Sequence, residues 1–231
     1  MKRIVQSELL DTLPPDDPRA VHSRRDLQRV NHWMRHHALM AAALQRAVKH
    51  PAPHLTDLGA GDGNFLLRVA QKLSPAWPEV QATLIDLQPN VSSETLAALA
   101  TLGWRAEVVV TDIFRWPPTA GANGANGVVM ANLFLHHFAD ASLAKLLQLV
   151  SERANLFIAL EPNRSGWPWF CSRLLWFIGC NHVTRHDATI SVRAGFSGGE
   201  LSRVWPDQQN WNLREERAGS FSHLFIAQKV T

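Results

Sequence analysis

The chain has 231 residues, 46% of them hydrophobic, enough for one α/β domain with a sizeable core and too few for two. A formal net charge of +3 and a pI near 9.2, with basic residues spread out beyond the first fifty positions, is too mild a balance to argue for a nucleic-acid partner. Cys171 and Cys180 are the only cysteines and lack zinc-type spacing, the N-terminus is polar and unlike a signal peptide, and the most apolar run, 167–180, is short and broken by Ser172 and Arg173. A soluble protein of a reduced, cytoplasmic compartment is expected, with no transmembrane segment.

In chain order, residues 1–50 hold two helical patterns separated by a turn at Pro14, Pro15 and Pro18. In the second pattern Leu27, Val30, Met34, Leu39, Ala42 and Ala43 recur roughly at helical spacing, with Arg24, Arg25, Arg29 and Arg35 on other faces. This predicts a helical extension packed over the ligand-binding edge of a sheet. His32, His36 and His37 read as a solvated or half-buried helix face, with a catalytic role as the sharper alternative.

The stretch LTDLGAGDGNFLL, residues 55–67, reads as strand, glycine turn and helix. Gly59, Gly61 and Gly63 allow positive φ and close backbone approach to a ligand, and the following helix offers unpaired N–H groups. The turn is acidic: Asp57 ends the strand and Asp62 stands between the last two glycines. A pyrophosphate would be repelled there, whereas a ligand bearing an ammonium and a sulfonium would not. The dinucleotide fingerprint G-x-G-x-x-G would also need glycine where Asn64 stands. A second strand over 80–87 places Asp86 to accept hydrogen bonds from ribose hydroxyls, which supports a nucleoside of either the nicotinamide or the adenosyl kind.

A helix is expected over 91–102 and a third strand over 104–110, closed by Thr111, Asp112, Ile113 and Phe114. Residues 117–127 read as a surface loop, and 128–132 as a buried strand followed by NLFLHHF, residues 132–138, at the topological switch point facing the ligand crevice. A helix over 143–153, a strand over 155–160 and a turn over 161–164 follow. The aromatic segment GWPWFCSRLLWFIGC cannot be a regular strand; it is a core or interface helix, or the wall of an apolar pocket. His182, Arg185, His186 and Asp187 form the densest titratable group, where a histidine oriented by Asp187 would suit proton abstraction. A helix within 195–205 and a hairpin of strands over 211–217 and 221–228 complete the chain, making one strand antiparallel in an otherwise parallel sheet.

The D-x-G-x-G-x-G loop, Asp86, the acid after the third strand, the Asn132–His137 segment and the terminal hairpin together resemble class I S-adenosylmethionine-dependent methyltransferases, and the chain's outer segments resemble a bacterial small-molecule subgroup. The resemblance implies a Rossmann-like α/β fold with a seven-stranded, mostly parallel sheet, helices on both faces and an antiparallel C-terminal strand. It implies a helical lid over 1–50 and a methyltransferase domain over 51–231, with a substrate-binding insertion at about 163–198. S-adenosyl-L-methionine is the implied cofactor, held by Asp57, Gly59, Gly61, Gly63, Asp86, Leu87, Asp112, Ile113 and Asn132. Asp112 would accept from the adenine amine, or else merely cap the next turn, and Leu87 or Ile113 would touch the ring. No metal ligands are expected, because the acids are assigned to the cofactor.

The expected reaction is O-methylation of a hydrophobic phenolic or polyketide-like acceptor, with C-methylation of a quinol-type ring as a near variant. His136, His137, His182 and His186 are the candidate bases. The N-P-P-Y type segment that would hold a flipped base is absent at Asn132, which argues against nucleic-acid methylation. Two other classes stand beside this reading: an NAD-dependent oxidoreductase, and a non-catalytic nucleoside- or partner-binding protein in which the tryptophan-rich segment forms a homodimer interface.

Overall fold

The computed structural model describes residues 1–14, 16–48, 54–88, 90–117 and 127–230. The elements run α1 (Leu9–Thr12), α2 (Pro18–Trp33), α3 (His36–Ala47), β1 (His54–Leu58), α4 (Asn64–Leu73), β2 (Val80–Asp86), α5 (Ser93–Thr101), β3 (Trp104–Val110), β4 (Val128–Asn132), α6 (Asp140–Arg153), β5 (Leu156–Pro162), α7 (Gly166–Ser172), α8 (His182–Ala194), α9 (Glu200–Val204), β6 (Trp211–Ala218) and β7 (Ser222–Lys229). The seven strands form one sheet in the order β3-β2-β1-β4-β5-β7-β6. β7 is antiparallel to both its neighbours, and every other pairing is parallel. This is the Rossmann-like sheet that the sequence predicts.

Side-chain alternation splits the core into two layers. Along β4, Val128 and Met130 face a cluster built with Met40 and Leu44 of α3 and Leu66, Val69 and Leu73 of α4. Val129 and Ala131 face the opposite cluster, built with Leu143, Leu146, Leu147 and Val150 of α6 and with Phe157, Trp205 and Phe225. The spacing 66, 69, 70, 73 gives α4 one buried stripe. Each such leucine contributes roughly 1.5–3 kcal/mol by leaving water. β5 is buried at every position because helices cover both its faces and strands flank both its edges.

Element boundaries shift where hydrogen bonding, not apolar pattern, decides. β5 continues to Pro162 because its ladder with β7 extends through Glu161↔His223 and Pro162↔Ser222. α6 begins at Asp140, three residues before the apolar pattern of its core face, with an acid in its first turn that suits the helix dipole. Residues 118–126 of the expected loop over 117–127 lie outside the described residues.

α1, α2 and α8 pack together beside the carboxyl ends of the strands. Asp187 of α8 accepts hydrogen bonds from the backbone N–H groups of Leu9 at 2.8 Å and Leu10 at 2.9 Å. Buried Asp26 of α2 accepts from Asn181 N at 2.7 Å and Thr184 Oγ1 at 3.1 Å. These charge-assisted bonds clamp the N-terminal helices to the segment after β5. Among the described residues no helix is long and apolar enough to cross a membrane.

Candidate active site

The strand order reverses at β1, whose neighbours are β2 and β4. An open cavity of about 540 Å³ lies at that point, outside the carboxyl ends of the strands. Its floor is the glycine turn after β1, the ends of β2 and β4 and the turn after β3. Its outer wall comes from Leu10 and Asp11 of α1, from Leu27, Gln28, Asn31 and His32 of α2, and from His37 of α3.

The glycines are where backbone geometry requires them. Gly59 has φ +68° and a Cβ there would meet the Phe134 ring at 2.3 Å, so the turn passes directly under that ring. Gly61 has φ +58° and nothing within 4 Å of a would-be Cβ, so its bare backbone faces the cavity. Asp86 fixes this turn. Its Oδ2 accepts from Gly61 N at 2.8 Å and its Oδ1 from Gln88 N at 2.9 Å, and each carboxylate oxygen keeps acceptor capacity toward the cavity. Leu133, at the end of β4, holds φ +53°, a strained conformation for a branched side chain, and lines the same cavity.

Asp57 is buried, lines the cavity and has a carboxylate oxygen, Oδ2, without a hydrogen-bond partner. Burial, reinforced by the nearby Asp86 charge, pushes its carboxyl well above the usual carboxylate range. A buried, unsatisfied acid over a glycine turn is a group built for a cationic ligand.

Residues 55–154 match the family profile of a methyltransferase domain. Over that stretch the chain carries the pattern of a methyltransferase domain. The trans-aconitate 2-methyltransferase of Acidovorax sp. strain JS42 is 34% identical to it over an alignment of 92 residues, covering 30% of this chain and 36% of that protein. The chain thus spans about a third of the length of the curated relatives it matches. In fold, the chain is similar to magnesium protoporphyrin IX methyltransferase of Synechocystis PCC 6803 with bound S-adenosylhomocysteine, at TM-score 0.58, 13% identity and coverage of 89% of this chain and 86% of that one. It is also similar to a methyltransferase of Aquifex aeolicus, at TM-score 0.56, 13% identity and coverage of 82% and 88%. The match and Asn64, in the third glycine position of the dinucleotide fingerprint, both argue against the oxidoreductase alternative.

The residues of the cavity fit S-adenosylmethionine: the orphaned Asp57 oxygen suits a cationic centre, and the open backbone at Gly61 leaves room for close approach. Asp57, Gly59, Gly61, Asp86, Leu87, Asp112, Ile113 and Asn132 all line the cavity. Gly63 does not; it is the N-cap of α4 at φ +73°, packed against Leu84, Val91 and Thr95. Asp112 is exposed at the cavity edge and its Oδ1 also accepts from Phe114 N at 2.9 Å, capping the turn after β3. Asn132 Oδ1 is held at 2.7 Å from Nδ1 of His36, whose Nε2 lies 2.6 Å from Ser222 Oγ. His36 is therefore fully buried rather than on a half-solvated face, and burial lowers its pKa to about 4.

The four candidate bases divide. His137 lines the cavity, its Nδ1 3.5 Å from Oδ2 of Asp11. His136 is buried behind it: Nδ1 lies 2.8 Å from Glu161 Oε2 and Nε2 3.4 Å from Glu8 Oε1. Burial opposes its charge, but the hydrogen bonds and charges of Glu161 and Glu8 outweigh burial and raise its pKa to about 9. The same pairing outweighs burial at Glu8, which falls to about 2. His182 and His186 are exposed on α8, their rings 6.2 Å apart, and the structure does not bring them to the cavity. His186 Nδ1 does lie 2.9 Å from Asp187, but that carboxylate is directed to α1.

Nor do residues 163–198, expected to build the acceptor wall, line the described cavity. α7 buries only Pro168 and Ser172 and leaves Trp167 and Phe170 exposed, and α8 spends its buried face on α7, α1 and α2. Sequence reasoning missed Gln28, whose Nε2 donates to Asp62 Oδ2 at 2.6 Å, and the carboxylates Glu8, Asp11 and Glu161. Glu161 carried one signal, an acid at the end of the fifth strand; Glu8 and Asp11 carried none, since only tertiary folding brings them across. Among the described residues Glu8, His136 and His137 are one group with metal-type donor atoms, within 4.8 Å of one another. The bonds of His136 to the two glutamates already complete that group as an ion-paired network.

Proposed function

We propose that this protein transfers a methyl group from S-adenosylmethionine to an oxygen of a hydrophobic phenolic or polyketide-like small molecule, with His137 as the base. S-adenosylmethionine supplies a methyl already activated on a sulfonium, so the chain's own tasks are to align the acceptor, exclude water and remove its proton. The observation that carries the reading is the placement of His137 on the cavity wall, beside Phe134, Phe138 and Leu10 and facing Asp11. A phenol with a pKa of about 10 gains from such a base near neutral pH.

Charge supports the same division. The strand-end side of the cavity carries Asp57, Asp86 and Asp112, suited to a cationic cofactor, whereas the helices contribute Arg24 and Arg68, with Asp11 and Asp62 also in the lining. The two arginines on the helix side favour an oxygen nucleophile that becomes anionic as it reacts. His136 acts as a positioning residue: its ring is 4.3 Å from that of His137, and Glu161 also accepts from the backbone N–H groups of Phe134 and Leu135, so the pair holds the whole turn.

The test is turnover of a panel of hydrophobic phenols by the wild-type, His137→Ala and Asp11→Asn proteins. His137→Ala should lower kcat by about 10²–10⁴-fold, leaving S-adenosylhomocysteine affinity unchanged. Asp11→Asn should lower kcat less. Full activity in His137→Ala would remove the base and leave positioning alone.

A further inference from the structure

Trp167, Phe170, Leu174, Trp176 and Phe177 are large apolar side chains between 37% and 67% exposed, all within one short stretch. They stack on each other instead of entering the core: the rings of Trp167 and Phe170 lie 6.2 Å apart and those of Trp176 and Phe177 3.9 Å apart. The turn Leu175–Ile178 buries no residue at all. So many outward aromatics in one patch call for an occupant.

The charge around the patch selects it. No acid occurs between Glu161 and Asp187, while Arg173 and Arg185 are exposed there. The Arg173 guanidinium lies 5.0 Å from the Trp169 ring centroid. Arg29 of α2, half-exposed, lies near the end of the aromatic run but is paired with buried Asp26, which also acts on Cys180. Arg29, with Arg25 and the exposed Trp33, continues into a shallow groove that shares Gln28, His32 and Arg68 with the main cavity. Tryptophan and phenylalanine edged by the exposed Arg173 and Arg185, with Asp26 buried and already paired, is a composition that settles into the headgroup region of an anionic bilayer. A second copy of this chain would instead set arginine against arginine across a two-fold axis.

We propose that this aromatic and basic face docks the protein onto an anionic lipid surface, with the cavity mouth close to the bilayer. The α7 segment then does not line the acceptor cavity but brings it to where a hydrophobic acceptor partitions. The proposal does not depend on the chemistry at His137, because binding is read without turnover.

The test is co-sedimentation with vesicles of phosphatidylcholine containing about 30 mol% phosphatidylglycerol, against pure phosphatidylcholine. The wild-type protein should bind the anionic vesicles, bind the neutral ones at least about tenfold more weakly, and be released by high salt. The double variant Trp176→Ser, Phe177→Ser should lose binding by about tenfold or more with its circular dichroism and S-adenosylhomocysteine affinity unchanged. Arg173→Glu, which removes no apolar surface, should weaken binding in the same direction. No binding to anionic vesicles, equal binding to neutral ones, or variants that bind like wild type would overturn the proposal. So would a concentration-dependent dimer that the double variant dissociates while neither protein binds vesicles.

Discussion

Nδ1 of His136 lies 2.8 Å from Oε2 of Glu161, inside a core where both side chains are buried. The pair joins the turn after β4 to the last residues of β5, and Glu8 joins both to the N-terminal segment. Because the folded protein holds the His136 proton up to about 9 against an ordinary 6.5, it binds more protons than the unfolded chain between those values. This contribution is full below pH 6.5 and is lost as pH rises toward 9. His36 works in the other direction: held neutral down to about 4, it costs stability as pH falls below 6.5. Thermal or urea unfolding should therefore show maximal stability near pH 6.5, with a loss of a few kcal/mol on the alkaline side. Glu161→Gln should flatten that alkaline limb and leave the acid limb of His36 in place.

The glycine turn offers a contrast between two neighbouring positions. Gly59→Ala drives a methyl into the Phe134 ring and forces positive φ on alanine, so it should destabilise the fold and abolish cofactor binding. Gly61→Ala carries only the backbone strain, about 1 kcal/mol, while its methyl enters the cavity. It should fold nearly normally, with S-adenosylhomocysteine affinity reduced by tenfold or so. Unfolding curves and ligand titrations on the two variants separate these outcomes.

Gln28 and Asp62 link α2 to the glycine turn by a 2.6 Å hydrogen bond. Removing it in Gln28→Ala should loosen the helix over the cavity without touching the floor. The expected result is a several-fold faster dissociation of S-adenosylhomocysteine in stopped-flow displacement, with thermal stability changed by less than about 1 kcal/mol. An unchanged off-rate would show that α2 does not restrain the cofactor.

What was legible in the sequence is what local pattern encodes. The D-x-G-x-G-x-G turn, Asp86 and Asp112 are each tied to a strand end, and a strand end is readable from apolar runs and glycine punctuation. The hairpin over 211–228 was readable for the same reason, and with it the antiparallel β7. Which residues of the expected N-terminal helices face the cavity was not, because Leu10, Asp11 and Gln28 meet the strand ends only through packing of α1 and α2 on α8. The aromatic run 167–178 stays open in the sequence: composition demands a partner but does not say whether that partner is the core, a substrate or an outside surface. His186 and Asp187 are indeed hydrogen-bonded, yet adjacency in sequence could not show that α8 turns them away from the cavity.

The central claim is that the acidic glycine cavity receives S-adenosylmethionine, and calorimetric titration with S-adenosylhomocysteine tests it most directly. The wild-type protein should bind this ligand and not NADH, and Asp86→Ala, which loses both the acceptor for the ribose and the bond that holds Gly61 N, should bind at least about tenfold more weakly. Binding of NADH, or affinity for S-adenosylhomocysteine that is absent in the wild type or unchanged in Asp86→Ala, would contradict the account.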